Sequence, residues 1–167
     1  MKRLHIHVAV ADLTQSVNFY STLFGSGPNV QKPDYAKWSL DDPHVNFAIS
    51  TRSATPGLDH LGIQVDEAAE LDAITERLHA AGSQTLQQEA TTCCYARSDK
   101  TWVEDPAGLR WESFRSLGET VDYGVSGVKT DADHDAATAS ACCAPTLAPV
   151  ASTDAGSGCG SSKSTCC

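Results

Sequence analysis

Two histidines and a glutamate fall at related places in a weak internal repeat, and together they could hold a metal ion. Residues 5–10 read His-Ile-His-Val-Ala-Val and residues 60–65 read His-Leu-Gly-Ile-Gln-Val. His5 and His60 thus each open a short apolar run with strand-like alternation. Aligning the final hairpins on Asp42-Pro43 and Asp105-Pro106 sets Val45-Asn46-Phe47-Ala48 against Leu109-Arg110-Trp111-Glu112. Glu112 then takes the position that Ala48 holds in the first copy. Pseudo-symmetry therefore predicts a site built from His5, His60 and Glu112, with an alanine at the fourth position. Three nitrogen and oxygen donors with open positions suit a catalytic rather than a structural metal. Two histidines and one carboxylate are the facial triad of non-haem Fe(II) oxygenases, although Ni, Co, Mn and Zn accept the same donors. His7 lies two residues from His5 and so on the same strand face. It could replace His5 as a ligand or line the pocket; its match to Gly62 in the repeat favours His5. His44, His79 and His134 receive no role.

A second group of chemistry-bearing residues is the vicinal pair Cys93-Cys94, in the half that also supplies Glu112. Thiolates prefer soft ions such as Cd, Cu(I), Zn and trivalent arsenic or antimony. Neighbours on a regular strand point to opposite faces, so chelation of one atom requires the pair to lie in a loop or bulge. The plainer alternative is that one of them is a small buried hydrophobe.

The elements that must position these groups repeat as well. Residues 13–24 place Leu13, Val17, Phe19, Tyr20 and Leu23 near one helical face, and residues 68–81 do the same with Ala69, Leu71, Ile74, Leu78 and Ala81. Gly25 and Gly82 follow as helix stops. Shorter strands are expected at 35–40 and 45–50 in the first half, and at 93–97, 101–104 and 109–114 in the second. Each half reads strand–helix–strand–strand–strand. The fold class is therefore α+β, with two βαβββ modules, about 1–52 and 57–116, pairing around a cleft.

Composition sets the limits. The chain has 167 residues and a net charge of −9, which predicts one domain and disfavours nucleic acid as a partner. No run approaches the roughly 18 apolar residues of a membrane span, and the opening residues lack the apolar stretch of a secretory signal. The expectation is a cytoplasmic protein without a membrane partner; the sequence is compatible with a homodimer. After residue 118 the chain becomes Ala-, Ser-, Thr-, Gly- and Asp-rich. This composition predicts a disordered tail over 119–167 behind a folded domain at 1–118. The tail carries Cys142, Cys143, Cys159, Cys166 and Cys167, which would suit a metal-trapping arm or belong to a dispensable extension.

The run from His5 to Leu13, with Phe19-Tyr20 and Leu23-Phe24-Gly25, resembles the opening of glyoxalase/bleomycin-resistance/extradiol-dioxygenase proteins, the vicinal-oxygen-chelate superfamily. Asp59-His60-Leu61-Gly62 and Asp105-Pro106-Ala107-Gly108-Leu109-Arg110-Trp111-Glu112 resemble the metal strands of its second module. The resemblance covers about residues 1–116 and implies the paired-module fold. The stretch 91–103, Thr-Thr-Cys-Cys-Tyr-Ala-Arg-Ser-Asp-Lys-Thr-Trp-Val, is more specific. With Lys32-Pro33-Asp34-Tyr35-Ala36 it resembles the heavy-metal-resistance branch, which contains carbon–arsenic lyases and cadmium-induced proteins. That resemblance implies Fe(II)- and O2-dependent cleavage of the C–As bond of trivalent organoarsenicals. Cys93 and Cys94 would hold the arsenic, and His5, His60 and Glu112 the iron. Many relatives carry Gln where this chain has His5. Three other readings compete. A cadmium- or arsenic-sequestering protein would bind through its cysteines without turnover. A glyoxalase-type enzyme would need a base where Ala48 stands. An extradiol dioxygenase would leave the thiol pair unexplained.

Overall fold

The computed structural model describes residues 1–121. Its elements run β1 (Arg3–Ala9), α1 (Leu13–Phe24), β2 (Val30–Lys32), β3 (Tyr35–Asp41), β4 (His44–Ser50), β5 (Gly57–Val65), α2 (Ala68–Ala80), β6 (Thr85–Cys93), β7 (Ala96–Glu104) and β8 (Arg110–Glu119). This is the βαβββ module twice over. β8 ends one residue past the expected domain boundary; residues 122–167 of the expected tail, with its five cysteines, lie outside the described residues.

The eight strands form one mixed sheet in the order β2-β3-β4-β1-β5-β8-β7-β6. Each module contributes four neighbouring strands, and the modules meet at the antiparallel β1–β5 pair. Within each module the first and last strands run parallel, β1 with β4 and β5 with β8. The register obeys the pseudo-two-fold. His7 faces His60 and His5 faces Gly62 across the β1–β5 seam. Gly62 in turn pairs with Glu112, and His7 with Ala48. Ala48 and Glu112 are therefore equivalent positions in the two modules, as the hairpin alignment has it.

The strands around the seam have two occupied faces. On β4, Val45, Phe47 and Ile49 pack with Trp38 and the helix-side residues Leu13, Val17, Tyr20 and Phe24. The alternate residues Asn46 and Ala48 line the cleft, as the period of two requires. Spacing of 3, 4 and 7 residues sets the inward stripe of α1. Phe19 and Leu23, expected near that stripe, fall on its flank and are exposed. Asp12 caps α1 by accepting the Gln15 backbone N–H at 2.9 Å, and Gly25 ends it in the left-handed conformation at φ 68°. On α2, Leu71 and Ile74, with Leu78 alongside, pack against Val65 of β5.

Two strand expectations need correction. Residues 93–97 do not form one strand: Cys93 ends β6, Cys94 and Tyr95 turn the chain, and Ala96 starts β7. The turn has left-handed backbone at two non-glycine residues, Cys94 at φ 57° and Tyr95 at φ 61°, a conformation usually signalled by Gly or Asn. The strand at 101–104 is the last part of a nine-residue β7, and polar β6 and the short β2 escape detection.

Candidate metal and dithiol site

The cleft is lined by residues from both modules, including His5, His7, His60, Cys93, Cys94, Lys100 and Glu112. β1 presents His5 and His7, β5 His60, β8 Glu112 and β7 Lys100. All five are buried.

His5, His60 and Glu112 converge on one point. The two Nε2 atoms are 3.2 Å apart. Glu112 Oε2 lies 3.6 Å from His5 Nε2 and 3.5 Å from His60 Nε2. Ligands on a shared ion with bonds of about 2.1 Å stand about 3.0 Å apart at right angles and about 3.4 Å apart in a tetrahedron. The observed triangle fits a common metal ion without rearrangement. The outer nitrogens are oriented to match. His5 Nδ1–H donates to the Asn46 carbonyl at 3.0 Å, and His60 Nδ1–H donates to Asp59 Oδ1 at 3.1 Å. Each bond directs the opposite Nε2 inward, which is how outer-shell partners orient metal-binding imidazoles. Ser53 donates to Asp59 Oδ2 at 2.6 Å, and Arg110 Nη2 approaches Asp59 Oδ1 at 3.7 Å.

The protonation states follow from this packing. Burial, reinforced by the positive charge of His60, pushes His5 down to about 3. Burial would lower His60 too, but hydrogen bonds to Asp59 and Glu112 and their charges push it up to about 9. Burial would raise Glu112, yet Lys100 and His60 hold it below the ordinary carboxylate range. Burial and His60 lower His7. The His60 Nε2 proton and a metal ion thus compete for one lone pair, whereas the donors on His5 and Glu112 are already free at neutral pH.

His7 does not point at the same centre. Its Nε2 lies 3.1 Å from Ser50 Oγ, and its ring packs edge-on against His60 with centroids 4.8 Å apart. It could form a different donor cluster with Asp59 and His60, but His60 Nδ1 already donates to Asp59.

The thiols form a ready pair. Cys93 Sγ and Cys94 Sγ are 3.1 Å apart. Two bonds of about 2.3 Å meeting near a right angle span about 3.3 Å, so one soft ion can bridge both sulfurs. The turn makes this possible: the left-handed Cys94 backbone brings its side chain to the same side as Cys93. Each such non-glycine residue costs about 1–2 kcal/mol, and the surroundings hold the turn in place. Tyr95 Oη donates to Asp34 Oδ1 at 2.6 Å. Tyr35 packs against the Tyr95 ring at 5.9 Å, and Lys32 lies over it at 5.3 Å. The Thr120 N–H donates to the Tyr95 carbonyl at 2.9 Å. Residues 32–36 are thus the tip of the β2–β3 hairpin, braced against the thiol turn. Cys93 also packs with Tyr35 and Ala48, so it is buried and faces the cleft at once.

Sequence reasoning assigned no role to Asp59 or Lys100. Asp59 stands beside a candidate ligand, which is a usable signal. Lys100 alternates in phase with buried Ser98 and Trp102 on β7, but that phase is visible only once the strand is known to start at Ala96.

Two βαβββ modules closing one mixed sheet around a cleft with a three-donor cluster define the vicinal-oxygen-chelate architecture. The chain belongs to the Glyoxalase/Bleomycin resistance protein/Dioxygenase superfamily, whose profile matches residues 2–113. Among its relatives is the "Trivalent organoarsenical cleaving enzyme" of Bacillus sp. (strain MD1). It is 44% identical over 117 residues, 68% of this chain and 73% of that protein. The "Cadmium-induced protein CadI" of Mycobacterium tuberculosis (strain ATCC 25618 / H37Rv) is 37% identical over 144 residues, 86% of this chain and 93% of that protein. A solved extradiol ring-cleaving dioxygenase from B. fuscum shares the fold at a TM-score of 0.55 and 20% identity. The match covers 71% of this chain and 33% of that one.

Proposed function

We propose that this protein is a metal-dependent enzyme that cleaves the carbon–arsenic bond of trivalent organoarsenicals, with Fe(II) on His5, His60 and Glu112 and O2 as oxidant. One observation carries the reading: a vicinal dithiol and a two-histidine, one-carboxylate cluster line the same cleft. Relatives named for organoarsenical cleavage support it.

The dithiol matches the substrate's valence. A trivalent monoorganoarsenical has one As–C bond and two exchangeable positions. Cys93 and Cys94 can take both, each thiol losing its proton as a hydroxyl of the arsenical leaves as water. The As–C bond is then the one left free to face the cleft. Ferrous iron, when bound, supplies the redox chemistry with O2 that thiols and carboxylates lack. The chain's own residues do the rest. Asn46 and Asp59 orient the two imidazoles, Trp102 packs edge-on against His60 with centroids 5.2 Å apart, and the braced thiol turn fixes the arsenic. Holding both reactants in one cleft removes much of the entropic cost of their encounter. The isomerase reading lacks its base, because Ala48 cannot carry a proton.

The test is anaerobic reconstitution with Fe(II), addition of trivalent methylarsenical, and admission of O2. Release of arsenite in step with O2 consumption supports the proposal. Stoichiometric binding of the arsenical or of Cd without any arsenite would favour sequestration.

A further inference from the structure

Lys100 is a buried cation that the proposed chemistry leaves without a task. Its side chain is 6% exposed, and its Nζ donates to Glu112 Oε1 at 2.5 Å. The ammonium lies 5.8 Å from the centroid of the Trp102 ring. The two oxygens of Glu112 are therefore divided: Oε2 faces His5 and His60, and Oε1 faces Lys100.

We propose that Lys100 is a positioning residue that holds Glu112 to ligation through one oxygen and so keeps a coordination position open for the reactants. This inference rests on the metal reading above. Carboxylates bind metals through one oxygen or two. On an ion with six positions, two imidazoles and a one-oxygen carboxylate leave three open; a two-oxygen carboxylate leaves two. Oε1 is engaged by a short, charge-assisted hydrogen bond that competes with bidentate ligation for that oxygen's electron density and orientation. The bond also leaves Oε2 as the oxygen that faces the histidines. Burial alone would push the Lys100 ammonium down, but Glu112, Cys93 and Cys94 hold it above the ordinary lysine range.

Two variants separate this role from a merely structural one. Lys100→Met keeps the stem and removes charge and donor; Lys100→Arg keeps a donor for Oε1. Each is loaded with Co(II), whose visible absorption reports coordination number, and titrated with azide as a probe of open positions. The parent and Lys100→Arg should bind one equivalent of Co(II) with matching spectra and azide affinity. Lys100→Met should also bind one equivalent, with an altered spectrum and azide affinity weakened at least about tenfold, the scale of lost outer-shell partners. Should Lys100→Met fail to fold, Lys100→Gln carries the same test, because it removes the charge and ends one bond short of where the lysine meets Oε1. A parent-like spectrum and azide affinity in Lys100→Met overturns the proposal, as does loss of Co(II) from that variant alone. A parent that binds no Co(II) overturns the metal reading itself, and this proposal with it.

Discussion

Replacing Gly62 with alanine tests whether the β5–β8 seam sets the ligand geometry. An alanine Cβ at position 62 would stand 2.1 Å from the Glu112 carbonyl oxygen, 3.1 Å from its carbonyl carbon and 3.4 Å from its Cα. All three are backbone atoms, so no side chain can swing away. Ordinary carbon–oxygen contact is more than 1 Å longer than the first of these distances, and β8 must retreat by roughly that amount at Glu112. Overpacking that forces backbone shifts costs about 1–3 kcal/mol. For a domain of about 120 residues this lowers Tm by roughly 4–15 °C. Metal sites tolerate displacements of only about 0.5 Å, so Co(II) affinity should fall at least about tenfold. The control is Gly25→Ala. That glycine has φ 68° and open space around its Cβ, so alanine there costs about 1–2 kcal/mol in backbone strain without touching the site. Thermal unfolding of chelator-treated protein and Co(II) titration read the two effects separately. Gly62→Ala with the parent's Co(II) affinity would refute the reasoning, and so would equal Co(II) losses in both variants.

Further expectations concern the thiols, the protons and the outer shell. Cys93→Ser and Cys94→Ser should each abolish arsenite release while one equivalent of metal stays bound, because trivalent arsenic prefers thiolate to hydroxyl; active single variants would move the substrate site elsewhere. Metal binding should become about tenfold tighter per pH unit from 7 to near 9 and then level off, releasing one proton per ion at pH 7. The sign follows because His60, raised to about 9, must lose its proton, whereas His5 and Glu112 are already deprotonated; a flat profile in chelator-buffered Co(II) would contradict this. Asp59→Asn should weaken Co(II) binding about 10- to 100-fold by loosening the His60 ring, with a smaller loss in Ser53→Ala.

The fold was legible because the repeat carries it. His5 and His60 head matching apolar strands, and the Asp-Pro turns fixed the hairpin alignment that the register reproduces in the pairs Gly62–Glu112 and His7–Ala48. The thiol hairpin was not legible. Cys93, Cys94, Tyr95 and Ala96 read as continuous strand, because the turn uses left-handed non-glycine residues held by tertiary contacts from Asp34, Tyr35 and Lys32. β6 is polar along most of its length, since it is the edge strand at one end of the sheet, and no apolar alternation marks it. Lys100 received no role because its inward phase appears only when the strand boundary is right. Phe19 and Leu23 show the converse error, apolar residues that lie just off the half-buried stripe of α1.

X-ray absorption at the arsenic edge tests the central claim, that one cleft holds arsenic on Cys93 and Cys94 beside a metal on His5, His60 and Glu112. The sample is the full chain with its five tail cysteines, Cys142, Cys143, Cys159, Cys166 and Cys167, changed to serine, loaded with Co(II) and then with trivalent methylarsenical. The account predicts two sulfur neighbours and one carbon around arsenic, with a cobalt neighbour a few ångströms away because both sites line one cleft, and only one sulfur in Cys94→Ser. Arsenic with fewer than two sulfur neighbours in the parent, or with two sulfurs and no cobalt in range, would contradict it.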